Sequence, residues 1–148
     1  MLSFAVFDGD SPASSWPLQH ACLIGPGDVP CPGDVRFENG RIVGERNSQE
    51  STGLMLQFPV VLPGDPPRPL GLLTLDTCLL RSRKEPYLLS LELARRQIMQ
   101  FLNRFEDWGM FDLSPTDPIL EQFEAARRRF TAALVAQKHD DPTDRTRV

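Results

Sequence analysis

The chain has 148 residues, of which 41% are hydrophobic and 24% charged, and its formal net charge is -4. A chain of this length holds one domain, with an appendage at most, and buries about 70% of its unfolded surface, but it excludes a complete (β/α)₈ barrel of roughly 200 residues or more. The acidic balance excludes the electrostatic footprint of a nucleic-acid-binding protein, because residues 1–86 carry 10 acidic and 7 basic side chains and residues 87–148 carry 10 and 9.

The opening MLSFAVFDGD has no positive charge, and Asp8 and Asp10 interrupt its apolar run, so it does not read as a signal peptide. No segment approaches the ~18 apolar residues of a membrane span. Cys22, Cys31 and Cys78 form no CxxC pair. A cytoplasmic, reducing compartment without disulfides is the expectation, with neither membrane nor nucleic acid as a partner.

Proline and glycine divide the sequence: 11 of 14 prolines and nine of 10 glycines precede residue 87. In that half, short apolar runs alternate with turns, and strands are expected at Ser3–Phe7, His20–Ile24, Gly53–Val61 and Leu70–Leu80. The segment Val35–Val43 reads as a hairpin, because Asn39-Gly40 accepts the two positive φ angles of a type I′ turn. That loop sets Glu38 opposite Arg41 and Phe37 opposite Ile42. Pro63–Pro69, with four prolines in seven residues, reads as an exposed loop between two long strands. Both faces of Leu70–Leu80 are largely apolar, which predicts a central strand covered on each side.

Beyond Pro86 the apolar spacing lengthens to between three and four residues. Pro86 predicts a helix start, with Leu88, Leu91, Ala94, Ile98, Leu102 and Phe105 inward and Trp108 widening the stripe. Glu92, Arg96, Gln100, Asn103 and Arg104 take the opposite side. Gly109 ends this helix, and Ser114-Pro115 or Asp117-Pro118 starts a second with Ile119, Phe123, Ala126, Phe130 and Leu134 inward. The fold expected is α+β: an antiparallel β-sandwich or rolled sheet of about six strands, followed by a C-terminal helical hairpin. Residues 1–86 form the β-rich part, 87–138 a two-helix hairpin packed on it within one domain, and 139–148 a disordered tail.

Few residues carry a chemical signature. His20 and Cys22 share a strand face, but a metal needs three or four ligands and Asp28 and Cys31 lie across a Pro/Gly loop. A buried cysteine beside a turn histidine is the expected use, with no metal and no cofactor. No catalytic residues are assigned, since no serine elbow or oriented Cys–His pair occurs. Gly25-Pro26-Gly27-Asp28 lacks phosphate-loop spacing and reads as a turn. Arg127-Arg128-Arg129, with Arg95, Arg96 and Arg104, reads as a solvated face paired with Glu121 and Glu124. The ligand-binding candidates are Trp16, exposed in a Ser/Pro loop, Tyr87 and Trp108 as stacking aromatics, and Asp76, a carboxylate within an apolar strand. Trp108, continuing the helical stripe, is expected mainly in packing.

Three segments, Leu75–Leu80, Arg83–Arg95 and Glu106–Asp112, together with Leu23-Ile24-Gly25, Val29-Pro30 and Val35–Val43, resemble the N-terminal region of planctomycete-type proteins of glycoside hydrolase family 10, the endo-1,4-β-xylanase-like group. The resemblance spans roughly residues 2–136 and rests on structural residues. In such proteins the catalytic glutamates lie on a downstream barrel, so no glutamate here inherits that role. The resemblance implies a non-catalytic accessory module that binds a polysaccharide such as xylan or docks a catalytic glycoside hydrolase domain. The alternative is a stand-alone protein-interaction or dimerisation module, acting as a homo-oligomer through its helical hairpin.

Overall fold

A computed structural model of the chain describes residues 1–139. The fold is α+β, with ten strands in three sheets and two α-helices among those residues. The strands are β1 (Leu2–Ala5), β2 (Phe7–Asp8), β3 (Ser11–Pro12), β4 (Cys22–Ile24), β5 (Pro30–Cys31), β6 (Asp34–Glu38), β7 (Arg41–Glu45), β8 (Gly53–Leu62), β9 (Arg68–Asp76) and β10 (Tyr87–Leu88). The helices are α1 (Leu89–Asp107) and α2 (Pro118–His139). The tail expected at 139–148 lies, apart from His139 closing α2, outside the described residues. The chain divides into two compact units, Met1–Leu93 and a second from Ala94 onward.

In the first unit, one sheet has the order β10-β1-β7-β6 and another the order β5-β4-β8-β9, while β2 and β3 form a small ribbon. The β6–β7 hairpin follows the Asn-Gly prediction. Asn39 (φ 49°) and Gly40 (φ 75°) both take the left-handed backbone, and the register sets Glu38 opposite Arg41 and Phe37 opposite Ile42. The ion pairing differs from that register: Arg36 reaches both Glu38 and, at 2.9 Å, Glu45. A guanidinium with five donors in a fork serves two carboxylates on adjacent strands at once. Its hydrogen bond holds the Glu45 carboxyl below the ordinary value of 4.5.

One apolar cluster joins the two four-stranded sheets. Leu2 and Phe4 come from β1, Ile42 from β7, Leu23 from β4, and Leu54 and Leu56 from β8. Leu89, the first residue of α1, closes the cluster. Each such side chain contributes about 1.5–3 kcal/mol by leaving water.

The Leu70–Leu80 prediction needs correction. Strand β9 is at a sheet edge, not at its centre, and Leu70 and Leu72 are 63% and 55% exposed. The reason is that β4, three residues long, pairs only with Gly53–Met55 of β8. Beyond that point β8 and β9 continue as a two-stranded ribbon with nothing beside it among the described residues. The helix start also differs. Pro86 does not open α1, because Tyr87 and Leu88 are first taken up by β1 as the parallel strand β10. Glu92, expected on the solvent side, is 4% exposed; the first turn of α1 is covered on more than its apolar face.

In the second unit α1 and α2 run antiparallel. Phe101 stacks on Phe123 at 4.4 Å, and the Arg95 guanidinium lies 5.9 Å from the Phe130 ring. Gly109, at φ 60°, follows the end of α1 as expected, and the Asp117 carboxylate accepts from the Ile119 N–H at 2.9 Å as the cap of α2. The seam is narrower than the sequence stripe: Ile119 and Ala126 are exposed, while Leu120, Phe123, Phe130 and Leu134 are half-buried. Trp108 is 69% exposed, because it lies one residue beyond the end of α1 and the stripe no longer applies there.

Ser3 is buried in β1 with no hydrogen-bond partner for its hydroxyl among the described residues. Replacing it with an isosteric apolar group removes an unmet desolvation cost of about 1–3 kcal/mol. Ser3→Ala is expected to raise the urea midpoint at unchanged m-value, by about 1 kcal/mol in unfolding free energy. Arg36→Gln is expected to return the Glu45 carboxyl toward 4.5, read by NMR titration. In the parent chain the Glu45 contribution is present at neutral pH and fades as pH falls through its depressed folded value.

Candidate functional site

An apolar concavity of the first unit has a volume of about 270 Å³. Its walls come from four places in the chain. Strand β1 and the residues after it bring Ala5, Val6 and Phe7; the ribbon brings Phe58, Leu73 and Leu75. The β10–α1 junction adds Leu88, Leu89, Ser90 and Leu93, and Trp16 comes from the loop after β3. Ser90 and the Trp16 indole hold the only polar side-chain groups of this lining. A pocket of this kind takes an apolar group and offers almost no directional bonding.

Trp16 is fixed edge-on against Phe58, with ring centroids 5.9 Å apart and planes at 88°. Such a pair adds about 0.5–1.5 kcal/mol beyond its buried area. The loop residue is therefore half-buried in this wall, not exposed as the Ser/Pro surroundings predict. Its indole N–H is buried and makes no hydrogen bond among the described residues.

The other candidates are not brought together with Trp16. Tyr87 packs on Phe4 at 6.1 Å, donates its hydroxyl proton to the Arg81 carbonyl oxygen at 2.9 Å, and carries the Arg83 guanidinium over its ring at 3.6 Å. A ring so covered is a fastening for the β10 segment and has no face for a sugar. Asp76 ends β9 half-buried at the sheet edge. Trp108 belongs to the second unit, with Phe111 equally exposed nearby in sequence.

His20 is exposed in a turn, while Cys22 is half-buried in β4, so the two do not share a strand. Burial, then the neighbouring Cys31, pushes the Cys22 thiol above 9.0, away from nucleophilic use. No group of three or more His, Cys, Asp or Glu side chains placed to hold a metal occurs among the described residues. Gly25–Asp28 is a single tight turn closed by the Gly25 N–H on the Val29 carbonyl at 2.8 Å. Of the basic cluster, Arg127 pairs with Glu124 at 2.8 Å on the open face of α2, which is the solvated pairing expected. No helix among the described residues is long and apolar enough to cross a membrane.

Phe58, Leu73 and Leu75 were not singled out by the sequence as site residues. The one available signal is the alternation along Leu70–Leu80, which puts Leu73 and Leu75 on one face. No family model matches the chain, and comparison with curated proteins and with solved structures likewise gives no match.

The unpaired indole makes a distinctive stability test. Trp16→Phe keeps a ring against Phe58 and removes the buried N–H, so it is expected to match or exceed parent stability by up to about 1 kcal/mol. Trp16→Ala, which opens the wall, is expected to cost about 2–3 kcal/mol. Urea unfolding followed by circular dichroism separates the two.

Proposed function

We propose that the chain is a non-catalytic protein-docking module, and that the apolar pocket walled by Trp16, Phe58 and Leu73 receives an apolar side chain of a partner protein. The carrying observation is the pocket itself: about 270 Å³, lined by apolar side chains apart from Ser90 and one indole N–H. A saccharide in such a space would leave its hydroxyls without partners, at about 1–3 kcal/mol each. An aliphatic or aromatic anchor loses nothing there and gains its burial. The two four-stranded sheets sharing one cluster support a sandwich or rolled arrangement, with the pocket opening where β8 and β9 leave the cover of β4. The resemblance to the N-terminal region of family 10 glycoside hydrolase proteins is in keeping with this reading, its catalytic domain being the partner class it would supply.

A second reading, saccharide binding, draws on a different observation. Trp108 and Phe111 are both 69% exposed, and aromatic faces in water are what pyranose rings stack upon.

One experiment separates the readings. Trp108→Phe leaves Trp16 as the sole tryptophan and a reporter of the pocket. Peptides selected against the full chain from a displayed random library are expected to share an apolar anchor and to shift Trp16 emission to the blue. Leu73→Glu, at a half-exposed lining position, is expected to weaken them at least about thirtyfold, the scale of a hot-spot contact. A signal on a xylan-oligosaccharide array that Trp108→Ala abolishes, without such peptides, would replace docking by saccharide binding.

A further inference from the structure

We infer that the partner segment docks as an extended strand, added antiparallel to the open edge of β9 with its apolar anchor opposite Leu73. The inference rests on the docking reading and names the conformation of what docks. Strand β9 ends the order β5-β4-β8-β9, so one of its two edges has no strand partner among the described residues. Every pair in that sheet is antiparallel, and a further antiparallel strand continues it. From Gly71 to Asp76 the ladder with β8 is regular. It breaks at Leu70, where Val60 faces Gly71 and Val61 faces Pro69, so the edge offered to a partner is the stretch after the bulge.

The Thr77 N–H donates to the Leu54 carbonyl oxygen of β8 at 2.9 Å. Because backbone groups alternate sides with period two, Leu75 and Leu73 also address β8, while Thr74 and Leu72 turn their N–H and C=O groups to the open edge. Side chains alternate with the same period, and Leu73 and Leu75 line the pocket. An antiparallel strand bonded to Leu72 and Thr74 therefore sets its intervening residue opposite Leu73, with that side chain on the pocket face. Such a non-hydrogen-bonded pair brings the Cα atoms to about 4.5 Å. The pocket is open at this place: of its lining residues only Phe7, Leu73 and Ser90 are exposed, Phe7 and Leu73 at 48% each. Backbone bonds then hold the segment, and the pocket selects one of its side chains.

Other arrangements fit these groups less well. The β8 edge beyond Met55 is interrupted by Pro59, which stands opposite Leu72 and so turns its ring nitrogen away from β9, toward that edge. A second copy of β9 brings no anchor. Its own pocket-face side chains, Leu73 and Leu75, already wall its own pocket and cannot also fill a neighbour's. A partner segment with an apolar residue between two strand-forming residues supplies both the backbone bonds and the anchor.

Amide hydrogen exchange by NMR on the full Trp108→Phe chain tests this, with peptides selected from the displayed random library as the probe. On binding, the Leu72 and Thr74 amides are expected to slow at least about tenfold, whereas those of Leu73 and Leu75, already bonded to β8, change less. Methylating the peptide nitrogen one residue before or after the anchor removes a donor to the β9 edge and is expected to weaken binding about tenfold. Methylating the anchor's own nitrogen, which faces away from β9, is expected to leave binding within about threefold. Leu72→Pro removes an edge donor that β8 does not use, so it is expected to weaken the same peptides while circular dichroism keeps the parental spectrum. Peptides that shift Trp16 emission yet leave the Leu72 and Thr74 amides unprotected, or that bind equally with every methylation, overturn strand addition and leave the pocket reading standing. Failure of every peptide to reach Trp16 removes the pocket reading, and this inference with it. A chain found dimeric by sedimentation equilibrium, its Leu72 and Thr74 amides protected before any peptide is added, assigns the edge to a second copy and overturns the inference.

Discussion

Strand β1 is the constraint on which the first unit rests. It is four residues long, yet it pairs antiparallel with β7 on one side and parallel with β10 on the other, and its Phe4 has no exposed surface. The parallel pair sets Phe4 against Tyr87, more than eighty residues away. Closing so long a loop costs only slightly more than closing a short one, whereas the pairing delivers an aromatic contact and the start of α1 together. Since Leu88 and Leu89 follow directly, the wall of the apolar pocket on that side is a consequence of β1 capturing Tyr87. The Arg83 guanidinium over the Tyr87 ring and the hydroxyl bond to Arg81 fasten the same junction from outside.

The other sheet is governed by the shortness of β4. Three residues pair with the first three of β8, and burial fades along the strand: Leu54 and Leu56 have no exposed surface, whereas Val61 and Leu62 near the far end are about half exposed. Past the cover the ribbon has only its own two strands, and an isolated two-stranded ribbon is marginal in water. It persists because Phe58 and Leu75 still reach inward to Trp16 and the pocket wall. The ribbon is thus tied to the core at Phe58 and Leu75, while Leu70 and Leu72 remain in solvent.

What the sequence made legible is what is decided locally. Asn39-Gly40 fixes a turn through two backbone angles, and Asp117-Pro118 fixes a helix start through one side-chain bond, so both are found where expected. The two-residue strands β2, β3, β5 and β10 had no such signature, since each exists only through its partner. Pro86 suits a helix start, but β1, from the far end of the chain, claims the two residues after it. Trp108 matched the stripe by spacing and missed the helix by one residue, which reverses its environment. Trp16 was noticed for its loop, yet its partners Phe58 and Leu73 are more than forty residues on, so the pocket itself was illegible.

Leu70–Leu80 illustrates the deeper reason. An apolar strand pattern states which surfaces gain by leaving water; it does not state whether the cover belongs to the same chain. Edges of this kind are ordinarily protected by lysine, proline or inward charge. Along β9 such protection comes from the irregular pairing at Leu70, from Pro69 and from the end charges Arg68 and Asp76, while Leu72 keeps 55% of its surface in water.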